Sequence, residues 1–430
     1  MISERYRLLK NIRLVDPSSG RTEGTDLLYL QKEGKSTVLQ MGKGLKPPMK
    51  EGLSVANMHG ALACPAFTDL RCAHPDPDFE YRESLQSCLL SAQAGGFSRI
   101  LTRPVKNGAD TPQKYEAVTR SAAKTADCRL FPAIPLTLSG KGQTLSSFEA
   151  LKEKGALAIT ADLEKTEISG RLLLDALKES GRLGMLFIAP AKDKSLAGRG
   201  VNKGRIAQRL KEEGEEEAAE LLALARALML AHTANLPVHF PLVTLKESVE
   251  LVRKAKKAGV PITAATAPPY FSLTESELLF IGENARLSPP LRREEDREAV
   301  IEGLADGTID CICSDHTPLS DSEKTGGKNA LPGAVGLETV FAAGLTHLVL
   351  PGHLPLFRLL ELLSVAPARL LGIDASVKEG APLDLAFLEC EGELVYNRHS
   401  MRSRSHNTPF YGRALLGRVT DLYIDGIRQN

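Results

Sequence analysis

The chain has 430 residues, 43% of them hydrophobic and 25% charged, with a net charge of +1. That is ordinary globular composition, with room for one large domain and a smaller one, and the near-neutral balance excludes an electrostatic case for nucleic acid or an anionic membrane as partner. No apolar run suits a membrane span, the opening MISERYRLLKNIRLVDPSSG lacks a signal-peptide core, and seven scattered cysteines point to free thiols, so a cytoplasmic location is expected.

The first sixty residues predict short strands, YRLLKNIRLVDP, DLLYLQK and STVLQMG, separated by turn-forming stretches. From about Ala61 apolar strands alternate with helical segments. SRILTR precedes the helix TPQKYEAVTRSAAKT; FPAIPL, ALAIT, MLFIAP, PVHFPLV, PITAATA and CICSD follow, with GRLLLDALKES and KESVELVRKAKKAG between some of them. Such alternation over some three hundred residues predicts a parallel sheet covered by helices, and a closed eight-fold barrel suits the length. After APARLLGID short strands return in PLDLAFLE, GELVYN and GRVTDLYIDG, so the two ends are expected to meet in one β domain. The predicted division is 1–60 and 373–430 for the end domain and 61–372 for the barrel. The charged run in KGRIAQRLKEEGEEEAAELLALARALMLAHTA reads as a solvated helical face rather than a partner site.

Six blocks carry a family likeness. They are SPPLRREEDREAVIEGLADGTIDCICSDHTP with PGAVGLETVFAAGL, PAFTDLRCAHPDPDFEYRES, AKDKSLAGRGVNKG, LKESVELVRKAKKAGVPITA, APARLLGID and HNTPFYGRALLGRV. In order and content the chain resembles the type I dihydroorotases of the amidohydrolase superfamily. The resemblance implies an α/β fold, a (β/α)8 TIM-type barrel with a small β-sandwich domain formed by both chain ends. It also implies zinc-bound hydroxide acting on a cyclic amide, with an aspartate shuttling the proton. Such a metal must pull the pKa of a bound water from about 15.7 toward roughly 7, held by three or more His or carboxylate ligands.

The positions matching that ligand set do not carry it. The family's His-x-His falls on Arg71 and Ala73: a permanent cation and a side chain with no donor atom. His74 is one residue out of phase, so it is expected on the other face of the strand. Ser-Asp-Asp-Gly aligns with Thr160-Ala161-Asp162-Leu163, leaving Asp162 as the possible carboxylate. The strand-five and strand-six histidines fall on Pro190 and Pro241, and prolines at strand ends are tolerated. The strand-eight carboxylate remains as Asp315, beside His316 in SDHTP. Positions that meet substrate in the family hold Pro75, Val105, Ser288 and Leu319. Arg71 or Arg103 can attract an anion; the simpler reading is that each satisfies carboxylates in the barrel mouth. Cys311 and Cys313 share a strand face with Asp315, but Cys-x-Cys alone more often fills a barrel layer than binds a soft metal.

The resemblance therefore implies a family member without its zinc and without another cofactor. Some bacteria carry such chains as partners of aspartate transcarbamoylase, so a homodimer within a hetero-oligomer with that enzyme's catalytic chain is the expected assembly. The alternative is an active dihydroorotase or related cyclic amidohydrolase with an atypical metal site. A sensor using the barrel mouth is a third reading.

Overall fold

The computed structural model describes residues 4–46, 52–104, 109–161 and 168–429. Among them eight parallel strands form the barrel: β1 Phe67–Ala73, β2 Phe97–Arg103, β3 Arg129–Pro132 with its continuation Ile134–Pro135, β4 Ala158–Thr160, β5 Leu186–Ile188, β6 Val238–Phe240, β7 Ile262–Thr266 and β8 Cys311–Ile312. β1 to β3 pair in order, and the continuation of β3 leads through β4 to β8. The break in β3 is spanned by the Ala133 N–H, which donates to the Thr102 carbonyl at 2.8 Å. Closure falls just beyond β8, where Cys72 and His316 form a parallel bridge and the Ala73 N–H donates to the His316 carbonyl at 2.7 Å.

A helix follows each strand, among them Leu85–Ala94, Pro112–Thr125, Gly170–Leu183, Ala218–Ala234, Lys246–Lys257, Glu294–Asp306 and Leu356–Leu363. Local chemistry sets their ends. Ser84, Thr111 and Ser169 accept hydrogen bonds from first-turn N–H groups, and Pro112 occupies a first-turn position where its missing donor does no harm. Gly184 and Gly307 end their helices in left-handed conformation, which a residue without Cβ adopts freely.

Strand alternation divides the core in two. Val238 and Phe240 of β6 and Phe187 of β5 pack with the helix residues Leu224, Val249 and Leu304. Leu186, Ile188, Ala158, Ala265 and Cys311 belong to a second cluster that fills the barrel. Burying a side chain such as Phe240 stabilises by about 1.5–3 kcal/mol.

The end domain is one sheet drawn from both termini. In spatial order its strands are Ile427–Arg428, Ala414–Ile424, Leu385–Val395, Leu62–Pro65, Arg5–Asp16, Arg21–Lys32 and Lys35–Gly42, with Ser54–Asn57 also against Arg5–Asp16. Leu62–Pro65 joins the halves: Ala63 registers with Leu14 on one side and Phe387 on the other. The sheet therefore takes in residues past the boundary expected at 60. The two strands predicted from PLDLAFLE and GELVYN are one strand with an irregularity between Glu389 and Glu393.

The charged run departs from expectation. It forms the helices Arg205–Leu210 and Ala218–Ala234, but Glu215 and Glu220 are buried, 1% and 0% exposed. Glu215 accepts a hydrogen bond from the Lys192 ammonium at 2.7 Å. Glu220 accepts the Thr244 N–H at 2.9 Å, with the Arg292 guanidinium at 3.5 Å. Buried carboxylates persist where cations and N–H donors surround them. Two carboxylates of the run are thus drawn into a buried ion network, while Lys211 and Glu213 stay exposed as expected.

Candidate functional site

The C-terminal ends of the strands converge on a mouth, the usual place for chemistry in this architecture. Arg71 comes from β1 and Asp315 from the turn after β8. The Arg71 Nε donates to Asp315 Oδ1 at 2.8 Å, and the two side chains are 6% and 16% exposed. Asp315 sits at φ +47°, a left-handed conformation that aspartate tolerates better than most residues. Beneath them Asp69 is fully buried and accepts the Ser314 N–H at 2.8 Å and its hydroxyl at 2.6 Å, fixing β1 to the turn after β8. Burial raises its pKa against the pull of those two donors.

His316 turns away from Asp315. The Gly336 N–H donates to its Nδ1 at 3.2 Å, so Nδ1 is unprotonated and Nε2 carries the proton toward Glu83 at 3.3 Å. Glu83 also accepts the Ser403 hydroxyl and the Arg404 N–H. Burial raises the Glu83 pKa, but the hydrogen bonds from His316, Ser403 and Ser87 more than offset it and leave it below the usual range. His316 is therefore a tie between the barrel closure and the segment after Leu385–Val395, and its ring does not serve Asp315.

The remaining sequence candidates disperse. Arg71, Arg103, Ser288 and Asp315 line one cavity of about 200 Å³, together with Ala191, Lys192, Lys194 and Thr317. Ala73, Pro75, Pro241 and Leu319 are not among its lining residues; Leu319 is buried and gives its N–H to Asn407 at 3.0 Å. Pro190 lines a separate, largely apolar cavity with Phe187, Leu173 and Leu230. His74, just past β1, bonds through Nδ1 to the Thr102 hydroxyl at 2.8 Å. Cys311 and Cys313 are buried thiols with pKa values pushed well up by burial, Cys311 packed against neighbours such as Ala265. Asp162 and Val105 lie outside the described residues.

A catalytic zinc does not fit these groups. Among the described residues no three His, Cys, Asp or Glu side chains come together as a metal would require. Asp315 is already paired with a guanidinium, which donates hydrogen bonds and ligates nothing. The described lining of the mouth holds Arg71, Arg103, Lys192 and Lys194 beside Asp315.

Sequence reasoning passed over three residues here. Lys192 and Lys194 enter the cavity because the chain folds back after β5, a path that periodicity does not reveal. His239, in mid-β6, is 1% exposed; its Nδ1 meets the Thr263 hydroxyl at 3.0 Å and its Nε2 has no hydrogen-bond partner. A histidine between Val238 and Phe240 reads as core, and its burial became visible only in the fold. Desolvation, with the positive charges of Arg71 and Lys256, lowers its pKa to about 3. The folded state thus resists a proton that the unfolded chain takes up near pH 6.5. Stability is fully present above that pH and falls on acidification toward 3, by up to about 1.4 kcal/mol per pH unit from this group. Urea unfolding of wild type and His239→Asn at about pH 7 and about pH 5 checks this. The variant is expected to lose less on acidification, and equal losses would remove His239 from the account.

A sequence profile described as Dihydro-orotase-like matches residues 60–248. The dihydroorotase of Geotalea daltonii is 36% identical over 422 residues, 97% of each chain. That of Bacillus caldolyticus is 34% identical over 383 residues, covering 88% of this chain and 90% of its own. Among solved structures, the L-hydantoinase (dihydropyrimidinase) from Arthrobacter aurescens matches with TM-score 0.86 at 22% identity, over 100% of this chain and 96% of its own. A D-hydantoinase matches with TM-score 0.82 at 20% identity, over 98% and 95%. At such identities the likeness is one of fold, a barrel carrying a sheet built from both ends. Sequence identity of 36% sustained over 97% of both chains adds the family: this protein belongs to the dihydroorotase-like amidohydrolases.

Proposed function

We propose that this chain is a non-catalytic member of its family, a structural or regulatory subunit in pyrimidine biosynthesis that associates with aspartate transcarbamoylase. It would work in the cytoplasm as a homodimer within that assembly. One observation carries the non-catalytic part: the 2.8 Å contact between Arg71 and Asp315. A guanidinium occupies the position from which the family's metal would be held, and it supplies the positive charge that the carboxylate requires. Arginine stays protonated at any relevant pH, so the pair cannot generate hydroxide from water. The seven free cysteines suit a reducing compartment, and among the described residues no helix is long and apolar enough to cross a membrane. The competing reading, hydrolysis of a cyclic amide, draws on the names of the relatives.

Metal analysis of the purified chain with a dihydroorotate hydrolysis assay separates the two. The expected result is no stoichiometric zinc and no turnover above background; a full complement of zinc with turnover would overturn the proposal. The partner half is tested by co-purification with aspartate transcarbamoylase from the same organism. Expected is a complex in which that enzyme's activity changes, and its failure to bind removes the partner assignment.

A further inference from the structure

The helix Ala218–Ala234 is apolar on every side, as a helix in an interior is, yet part of it faces solvent. Of its two charged residues, Glu220 is buried in the ion network, and Arg226 turns aside to donate through Nη2 to the Ile168 carbonyl. Leu224, Ala227 and Ala231 are buried against the barrel. The opposite stripe runs through Ala218, Leu222, Ala225 and Met229, spaced four, three and four residues apart. All four are exposed, Leu222 at 53% and Met229 at 63%. Such spacing keeps one line along a helix and forms the seam along which two helices interlock. A contiguous exposed apolar strip marks a contact surface.

The order of sizes selects the occupant. Small and large residues alternate along the stripe. A second copy laid antiparallel, with a two-fold axis at the level of Ala223 and Leu224, sets Leu222 against the partner subunit's Ala225 and Met229 against the partner subunit's Ala218. Each large side chain then meets a small one at all four contacts, and the seam buries no charge. The surroundings suit a dimer as well. The helix lies between Gly170–Leu183 and Lys246–Lys257, which place exposed charges such as Lys178, Glu247 and Lys254 at the rim of the apolar centre. The three helices are 14, 17 and 12 residues long. At about 1.5 Å per residue and about 9 Å apart they present on the order of 600 Å² in projection, comparable with the roughly 800 Å² that each partner gives a specific dimer.

We propose that the exposed face of Ala218–Ala234 is the homodimer interface of this chain, two copies packing this helix antiparallel through Leu222 and Met229. The inference rests on the homodimer in the proposed function and supplies its surface.

The test is sedimentation of the full-length chain alone at micromolar concentration, where a mass twice the 46.4 kDa of one chain is expected. Ala225→Glu, altered at a site exposed in the single chain, is expected to weaken association about a hundredfold or more, because the interface then buries two carboxylates beside leucine. Circular dichroism checks that the variant is folded; should it not be, a cysteine pair decides. In Ala218→Cys/Met229→Cys the two positions lie about 16 Å apart along one helix, too far for a bridge within a chain, so air oxidation is expected to give a covalent dimer through them. A monomeric wild type overturns the inference together with the homodimer reading. A dimer that Ala225→Glu leaves intact, or a cysteine pair that stays unlinked, overturns the inference alone. If the wild type is monomeric and Ala225→Glu abolishes capture of aspartate transcarbamoylase, the face belongs to that enzyme and the second copy is discarded.

Discussion

Arg71→Ala is expected to lower the unfolding free energy by about 3–5 kcal/mol, among the largest effects of any single polar substitution in this chain. The guanidinium is nearly buried, and its removal takes from Asp315, itself 16% exposed, the cation that donates to it at 2.8 Å. Because Asp315 retains some contact with solvent, the lower part of that range is expected. The double variant Arg71→Met/Asp315→Asn removes both charges and keeps the volume, so most of the loss should return, as buried pairs replaced by neutral groups of similar size are often near neutral. Urea unfolding of Arg71→Met, Asp315→Asn and the double variant yields the coupling energy. A loss below about 1 kcal/mol for Arg71→Ala would mean that the pair does not hold the mouth together.

Asp384→Ala is expected to cost a similar 3–5 kcal/mol or so, by a different route. Asp384 precedes the strand Leu385–Val395 of the end sheet and is 7% exposed. Its carboxylate accepts hydrogen bonds from Arg99 of β2 and from Arg129 of β3, the latter at 2.7 Å, and from the Asp425 N–H at 2.9 Å. Burial alone would raise its pKa; the two guanidinium groups more than reverse this and hold it below the usual carboxylate range. Alanine leaves Arg99, itself 8% exposed, without its carboxylate partner between barrel and sheet. Denaturant unfolding reads the loss, and Asp384→Asn, which keeps an acceptor but no charge, is expected to fall between wild type and alanine. A loss under about 1 kcal/mol in Asp384→Ala would dismiss this cluster as the tie between the two parts.

Those two sites illustrate what a single sequence discloses. The barrel was legible because strand and helix periodicities are local, and the end sheet because short strands recur at both ends. That neither Arg71 nor Ala73 can ligate a metal is legible because donor chemistry is a property of residue type. Their partners are not. Arg71 and Asp315 are 244 positions apart, and neither composition nor spacing says that one neutralises the other. The same limit explains Glu215 and Glu220, which a local charge count assigns to solvent while Lys192 and Arg292 claim them in the interior. His316 and Asp315 are neighbours in sequence, yet the left-handed turn at Asp315 sends the two side chains to different partners.

The two prolines have an evolutionary meaning. Under the proposed reading, a return to metal binding needs new donors at Arg71, Ala73, Pro190 and Pro241, four separate replacements that confer nothing until all are present. The first of them would discard the Arg71–Asp315 ion pair. Such a chain sits behind a ratchet: selection can refine how it docks or what it senses, while the route back to hydrolysis is closed one residue at a time by the stability of the intermediate forms.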